Sequence, residues 1–224
     1  MLAQTWDDLL FIHYRADPEE VARFVPQGLE VDQHDGSAWV SVTPFVLTGF
    51  RLRGVFPVPF FSTFAELNVR TYVTAEERPG IWFFSLDASS RLAVEAARRN
   101  YKLPYFHAQM SVGRHGADVA YSCSRAGPSD RRFEGRYRPA GGSFNAEPGS
   151  LDWFLAERYC LYAADRGRLH RAEIHHPLWP LQVAEATVEE NTMPPPDLSL
   201  GPRGPTRFSR RQDVLVWPLR PLDS

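Results

Sequence analysis

The chain has 224 residues, a net charge of −2, 43% apolar and 13% aromatic residues. That is enough apolar content for a sizeable core, so disorder is excluded, and no large electrostatic field is present to attract nucleic acid or an acidic membrane. No apolar run approaches the ~20 residues of a membrane span, and the N-terminal stretch MLAQTWDDLLFIHYR has no basic start or small-residue cleavage site.

Leu9 to Tyr14 reads as a first strand. Asp17-Pro18-Glu19-Glu20 then predicts a helix start, with an Asp cap and Pro at the first helical position. Leu29 to Asp32 and Ala38 to Leu47 predict two strands around the turn at His34-Asp35-Gly36. Residues 49–62 are rich in Gly, Pro and Phe, and the cluster Phe56, Phe60 and Phe61 predicts a lid or rim. Residues 63–75 and 81–86 predict a hairpin around Glu77-Arg78-Pro79-Gly80.

Ser89 or Ser90 caps a predicted helix over Leu92 to Arg99, with Leu92, Val94, Ala96 and Ala97 inward. Tyr101 to Val112 reads as a strand entered through Pro104 and paired with residues 117–124. Another strand is expected near 131–138. Ser150 caps a short helix at LDWFLAE. Residues 158–164 and 168–175 flank the turn Asp165-Arg166-Gly167, and His176 to Pro180 forms a rigid corner. Residues 181–189 fit helix or strand, the proline-rich stretch 192–205 reads as a surface loop, and Asp213 to Trp217 as a closing strand. Many strands joined by tight turns, with a few short helices, predict a single α+β domain over 1–224, mainly antiparallel β, curled to remove its edges.

The stretch TFAELNVRTYV (63–73) carries the chemistry. With period two, Ala65, Leu67, Val69, Thr71 and Val73 share one face, and Phe64, Glu66, Asn68, Arg70 and Tyr72 the other. The second face is either a solvated Glu–Arg pair or a pocket wall. In the wall reading Arg70 holds a carboxylate and Glu66 serves as acid or base. In the next strand Tyr101, Tyr105 and His107 share a parity, and His107 is the best acid–base candidate by chemistry alone. The alternative for His107 is a core histidine bonded to a carbonyl.

Other signals are weak. Lys102 is the only lysine among 25 basic residues. Its usual fate is solvent. His170, His175 and His176 lack metal-ligand spacing, so no metal is expected. No phosphate-binding or nucleophile motif occurs, and the Arg pairs are scattered, so neither nucleotide cofactor nor nucleic-acid partner is expected. Cys123 and Cys160 fit a reduced, cytoplasmic protein.

The segments YRADPEEVARFVPQGLEV (14–31), ELNVRTYV (66–73), YKLPYFHAQM (101–110) and HHPLWPLQ (175–182) resemble the bacterial YqjF-like proteins of the acetoacetate decarboxylase-like superfamily. The resemblance spans nearly the whole chain. It implies a cone-shaped antiparallel β-barrel with a closed internal pocket for a small carbonyl or carboxylate ligand, often in homo-oligomers. It also implies that Glu66 stands where the decarboxylases keep a pocket glutamate. Their lysine pair, one of which forms the Schiff base, follows the proline matching Pro104. Here those positions are Tyr105 and Phe106, and Lys102 does not match. The decarboxylases' upstream arginine has no equivalent; Trp6 lies near its position. Three functions follow as expectations: a lyase- or hydratase-like enzyme without an imine, with Glu66 and His107 catalytic and Asn68, Arg70, Tyr101 and Tyr105 binding substrate; a non-catalytic binding protein; or a barrel filled by its own aromatics that acts through oligomerisation.

Overall fold

The computed structural model describes residues 1–52, 63–127 and 130–222. The expectation of an aromatic lid at Phe56, Phe60 and Phe61 lies outside the described residues. In order, the elements are β1 (Leu2–Ala16), α1 (Pro18–Ala22), β2 (Glu30–Val31), β3 (Ala38–Leu52), β4 (Phe64–Ala75), β5 (Arg78–Ala88), α2 (Arg91–Tyr101), β6 (Tyr105–His115) and β7 (Asp118–Arg125). They continue with β8 (Arg132–Phe144), α3 (Leu151–Ala156), β9 (Cys160–Asp165), β10 (Arg168–His175), β11 (Leu181–Asn191), β12 (Arg203–Val216) and β13 (Arg220–Pro221). None of the described helices is long and apolar enough to cross a membrane.

All the described strands belong to one sheet that closes on itself twice. A first ring runs β5-β6-β7-β8-β11-β12-β1-β3-β4 and returns to β5; a second runs β5-β9-β10-β12-β1-β3-β4 and also returns to β5. The rings share the wall β12-β1-β3-β4-β5. Pairing is mainly antiparallel, as expected. The exceptions are β5–β6 and β5–β9, which are parallel. A parallel neighbour needs a crossover, and α2 supplies it between β5 and β6.

The shared wall carries an apolar cluster on each side. Leu10, Ile12, Val40, Val42, Leu67 and Val69 face the core of the first ring, together with Tyr121 and Phe133. Their neighbours Leu9, Phe11, Phe45, Leu47 and Phe64 face the other way and form a second cluster with Trp179. Each large apolar side chain buried this way contributes roughly 1.5–3 kcal/mol. The unbroken run LLFI in β1 is the sequence form of a strand covered on both faces.

The helix caps follow the sequence. Asp17 Oδ1 accepts from the Glu19 and Glu20 amides at 2.7 and 3.4 Å, Ser90 Oγ from Ala93 N at 3.3 Å, and Ser150 Oγ from Trp153 N at 3.2 Å. Several expectations are corrected. Val94 and Ala97 face inward as predicted, joined by Ala93, whereas Leu92 and Ala96 are exposed. Tyr101 ends α2 rather than starting a strand, because Lys102 adopts the left-handed conformation (φ 53°) and stops the helix. In the 192–205 stretch Met193 and Leu198 are buried against the first core, and β12 already begins at Arg203.

The β4–β5 turn also moves. Glu76 and Glu77 occupy it, both with positive φ (51° and 59°), and Ala75 pairs with Arg78. Pro79 and Gly80 sit inside β5. Gly80 is required by a close approach: a Cβ there would lie 2.7 Å from Cys160 Sγ and from Tyr162 Cε2, and 2.9 Å from the Cys160 carbonyl oxygen. Gly80→Ala is therefore expected to destabilise the protein by about 1–3 kcal/mol in urea denaturation, since backbone has to shift to admit the methyl group.

Candidate functional site

The polar row of β4 points into the second ring. Glu66, Asn68 and Arg70 are 4%, 3% and 3% exposed. They line a cavity of about 420 Å³, whose rim includes the exposed residues Ala96, Asn100 and Pro218. Glu66 meets the Tyr105 hydroxyl, which donates toward its two carboxyl oxygens at 3.3 and 3.4 Å. Burial pushes the Glu66 carboxyl up to about 8; the Tyr105 hydrogen bond opposes this and the Asp87 charge adds to it. Glu66 is thus mostly protonated at neutral pH. Burial and the Glu66 carboxyl together hold the Tyr105 phenol well above its ordinary value, so it acts as a hydrogen-bond donor.

Asn68 is fixed by the Thr43 hydroxyl, which donates to its Oδ1. The amide Nδ2 is left without a side-chain or backbone partner among the described residues. Arg70 is the anomaly. Its guanidinium lies 5.5 Å from the Phe11 ring centre and 5.9 Å from that of Tyr72. It makes no ion pair or hydrogen bond among the described residues, and its Nε is buried and unsatisfied. The β4–β5 register shifts beside it, with Val69 opposite Ser85 and Arg70 opposite Phe83, so that Phe84 of β5 is the extra residue.

Beside Arg70 runs a buried chain of hydroxyls that sequence reading misses. The Tyr72 hydroxyl donates to the Leu155 carbonyl at 2.9 Å, so it accepts from Ser41 at 2.7 Å, and Ser41 accepts from His13 Nδ1 at 2.6 Å. His13 therefore carries its proton on Nδ1. Burial, then the charges of Arg70 and Arg207, hold its pKa well below the usual imidazole range. A neutral His13 adds no second positive charge beside Arg70. No spacing rule flags His13 or Ser41, since single polar residues in apolar strands are common.

Of the remaining predicted site residues, Tyr101 reaches the cavity from the end of α2, its phenol raised to about 12 by burial. His107 does not line the cavity. Strand β6 pairs with β5 only over Tyr105–His107 and then changes partner to β7. His107 is half-buried, and its carbonyl accepts from Ala126 N at 2.9 Å. Lys102 is exposed, 3.8 Å from the Asp165 carboxylate, and does not line the cavity.

Among the described residues, Phe64, Tyr72 and Phe106 do not fill the cavity. Phe64 lines one side, Tyr72 packs against Trp39 and Leu155, and Phe106 lies under the Arg125 guanidinium at 4.0 Å. Arg125 grips the fully buried Asp87 through two hydrogen bonds of 2.7 and 2.8 Å. Burial raises the Asp87 pKa, and Arg125 opposes the rise. His176 stacks on Tyr159 with ring centres 4.7 Å apart and packs beside Trp179, which makes the expected rigid corner. Among the described residues no three His, Cys, Asp or Glu side chains converge as metal ligands. Both cysteines are free and buried.

Comparison with known proteins places this geometry. Residues 3–207 match DUF2071, a family described as an uncharacterized conserved protein. The chain is 43% identical over 222 residues to the uncharacterized protein YqjF of Bacillus subtilis, covering 98% of this chain and 92% of that one. Among solved structures, the enduracididine biosynthesis enzyme MppR complexed with pyruvate superposes with a TM-score of 0.71 at 16% identity, covering 100% of this chain and 91% of that chain. Acetoacetate decarboxylase from Legionella pneumophila gives 0.71 at 9% identity (100% and 88%). An acetoacetate decarboxylase-like enzyme from Sphingomonas wittichii RW1 gives 0.64 at 16% identity (100% and 93%). At these identities the solved structures establish the fold alone. The chain belongs to the YqjF-like DUF2071 family, and its double-ringed sheet is the acetoacetate decarboxylase-like fold.

Proposed function

We propose that the protein binds a small organic acid in the second ring, with Arg70 holding the carboxylate and protonated Glu66 donating to a neighbouring carbonyl oxygen. The observation that carries this reading is Arg70: a buried guanidinium with no partner among the described residues, in a cavity whose one carboxyl, Glu66, makes no ion pair with it. Burying a lone charge is costly, and an incoming carboxylate removes the cost through charge-assisted hydrogen bonds. Asn68 Nδ2 and the Tyr105 hydroxyl supply further donors. With Glu66 cycling between acid and base, the reaction is proton transfer at the carbon beside the carbonyl. Lys102 does not line the cavity and lies by Asp165, so this reading uses no lysine imine. The MppR complex with pyruvate supports a carboxylate ligand by analogy of fold.

A 2-oxo acid such as pyruvate in D2O tests both halves by NMR. Wild-type protein should bind it and exchange its methyl protons for deuterium. Arg70→Met should bind at least tenfold more weakly while keeping or gaining stability, because Met removes a buried charge without opening a cavity. Glu66→Gln should bind but not exchange. Binding without exchange in the wild type would favour a carrier over an enzyme, a reading supported by the position of His107, which leaves the cavity without a second acid–base group. Equal binding by Arg70→Met sinks the carboxylate reading.

A further inference from the structure

Beyond Glu66 and Arg70, no residue described in the cavity lining has a carboxyl, guanidinium, lysine amine or imidazole side chain. The walls are apolar, with Phe83 from β5, Leu161 from β9, Ile174 from β10 and Val216 from β12. On the remaining side α2 turns Ala93 and Ala97 inward, leaving space that a longer side chain would fill. At about 30 Å³ for each water-sized group, the cavity of about 420 Å³ has room for roughly a dozen non-hydrogen atoms. A three- or four-carbon oxo acid occupies about half of that. The only other cationic group of the described lining is the α-amine of Met1, so no side-chain cation is available to a second carboxylate stripped of water.

We infer that the cavity takes a monocarboxylate with an apolar tail, about eight to twelve non-hydrogen atoms in all, its head on Arg70 and its tail against α2 and strands β9 and β10. This rests on the carboxylate reading above and adds the substrate class. It also separates the ligand from dicarboxylates and from short polar acids.

Calorimetric titration of the full chain at pH 7 with butanoate, hexanoate, octanoate and octanedioate tests it. Affinity should rise about three- to fourfold for each added methylene. Octanedioate should bind at least tenfold more weakly than octanoate. Ala97→Phe should lose more octanoate than butanoate affinity, and if that variant does not fold, the wild-type chain-length series decides. Short acids bound through Arg70 with no gain along the series overturn the tail and leave the carboxylate anchor standing. Octanoate bound equally by wild type and Arg70→Met overturns the anchor, and the proposal with it. No binding of any of these acids overturns both.

Discussion

Stability should fall as pH rises from about 4.5 to about 8, and most of that fall should disappear in Glu66→Gln. The Glu66 carboxyl titrates near 8 in the folded protein, against an ordinary value of 4.5. A group with a raised folded pKa binds its proton more tightly when folded. Below pH 4.5 it is protonated in both states and contributes no pH dependence. Between the two values the unfolded chain releases the proton and the folded one keeps it, so unfolding is favoured by about 1.4 kcal/mol per pH unit. Above pH 8 both states are ionised and the loss levels off. Integrated over the window, the effect is on the order of 5 kcal/mol. Urea denaturation of wild type and Glu66→Gln at intervals from pH 4 to pH 9 measures it. Asp87, also raised, adds a slope of the same sign to both proteins, so the difference between the two curves isolates Glu66. Parallel curves would place Glu66 in a solvated setting and remove the basis for its role as an acid.

The second large effect is at Arg125. Its two hydrogen bonds to Asp87 neutralise a carboxylate with no solvent exposure. Arg125→Ala leaves that charge buried and unpaired, and the expected loss is about 3–5 kcal/mol. Adding Asp87→Asn should restore a large part of it, because the amide carries no charge to strand. A double-mutant cycle by chemical denaturation gives the coupling. Independent, additive losses would show that the pair is solvated. Arg125→Ala also removes the cation stacked on Phe106, so a residue of the loss should survive the rescue.

The main features were legible where side-chain periodicity is strict. The alternation in β4 separates the apolar from the polar row, and the polar row lines the cavity. The caps at Asp17, Ser90 and Ser150 could be read because each satisfies orphan amides in a recognisable local pattern. The failures have specific causes. The Pro79-Gly80 pair looks like a turn, yet Gly80 is there for the approach of Cys160 and Tyr162, a contact 80 residues away in the chain. Glutamates 76 and 77 make the turn in a left-handed conformation that their side chains do not advertise. Tyr101 and Tyr105 reach one cavity from a helix end and a strand, so the parity that joined them was coincidental. His107 keeps the parity of Tyr105 but lies outside the cavity, at the point where β6 leaves β5 for β7. The parallel β5–β9 contact depends on how two distant hairpins meet, which no local pattern records.

The wall shared by the two rings has a further consequence, for cooperativity. Neither ring can be closed without β12, β1, β3, β4 and β5. Opening one ring while keeping the other would expose one face of each of these strands. A ligand on the Glu66–Arg70 face of β4 is therefore coupled, through backbone hydrogen bonds, to the core that Leu67 and Val69 bury on the opposite face. Amide exchange in the first ring would then slow when the second is occupied, although no atom of the ligand comes near it.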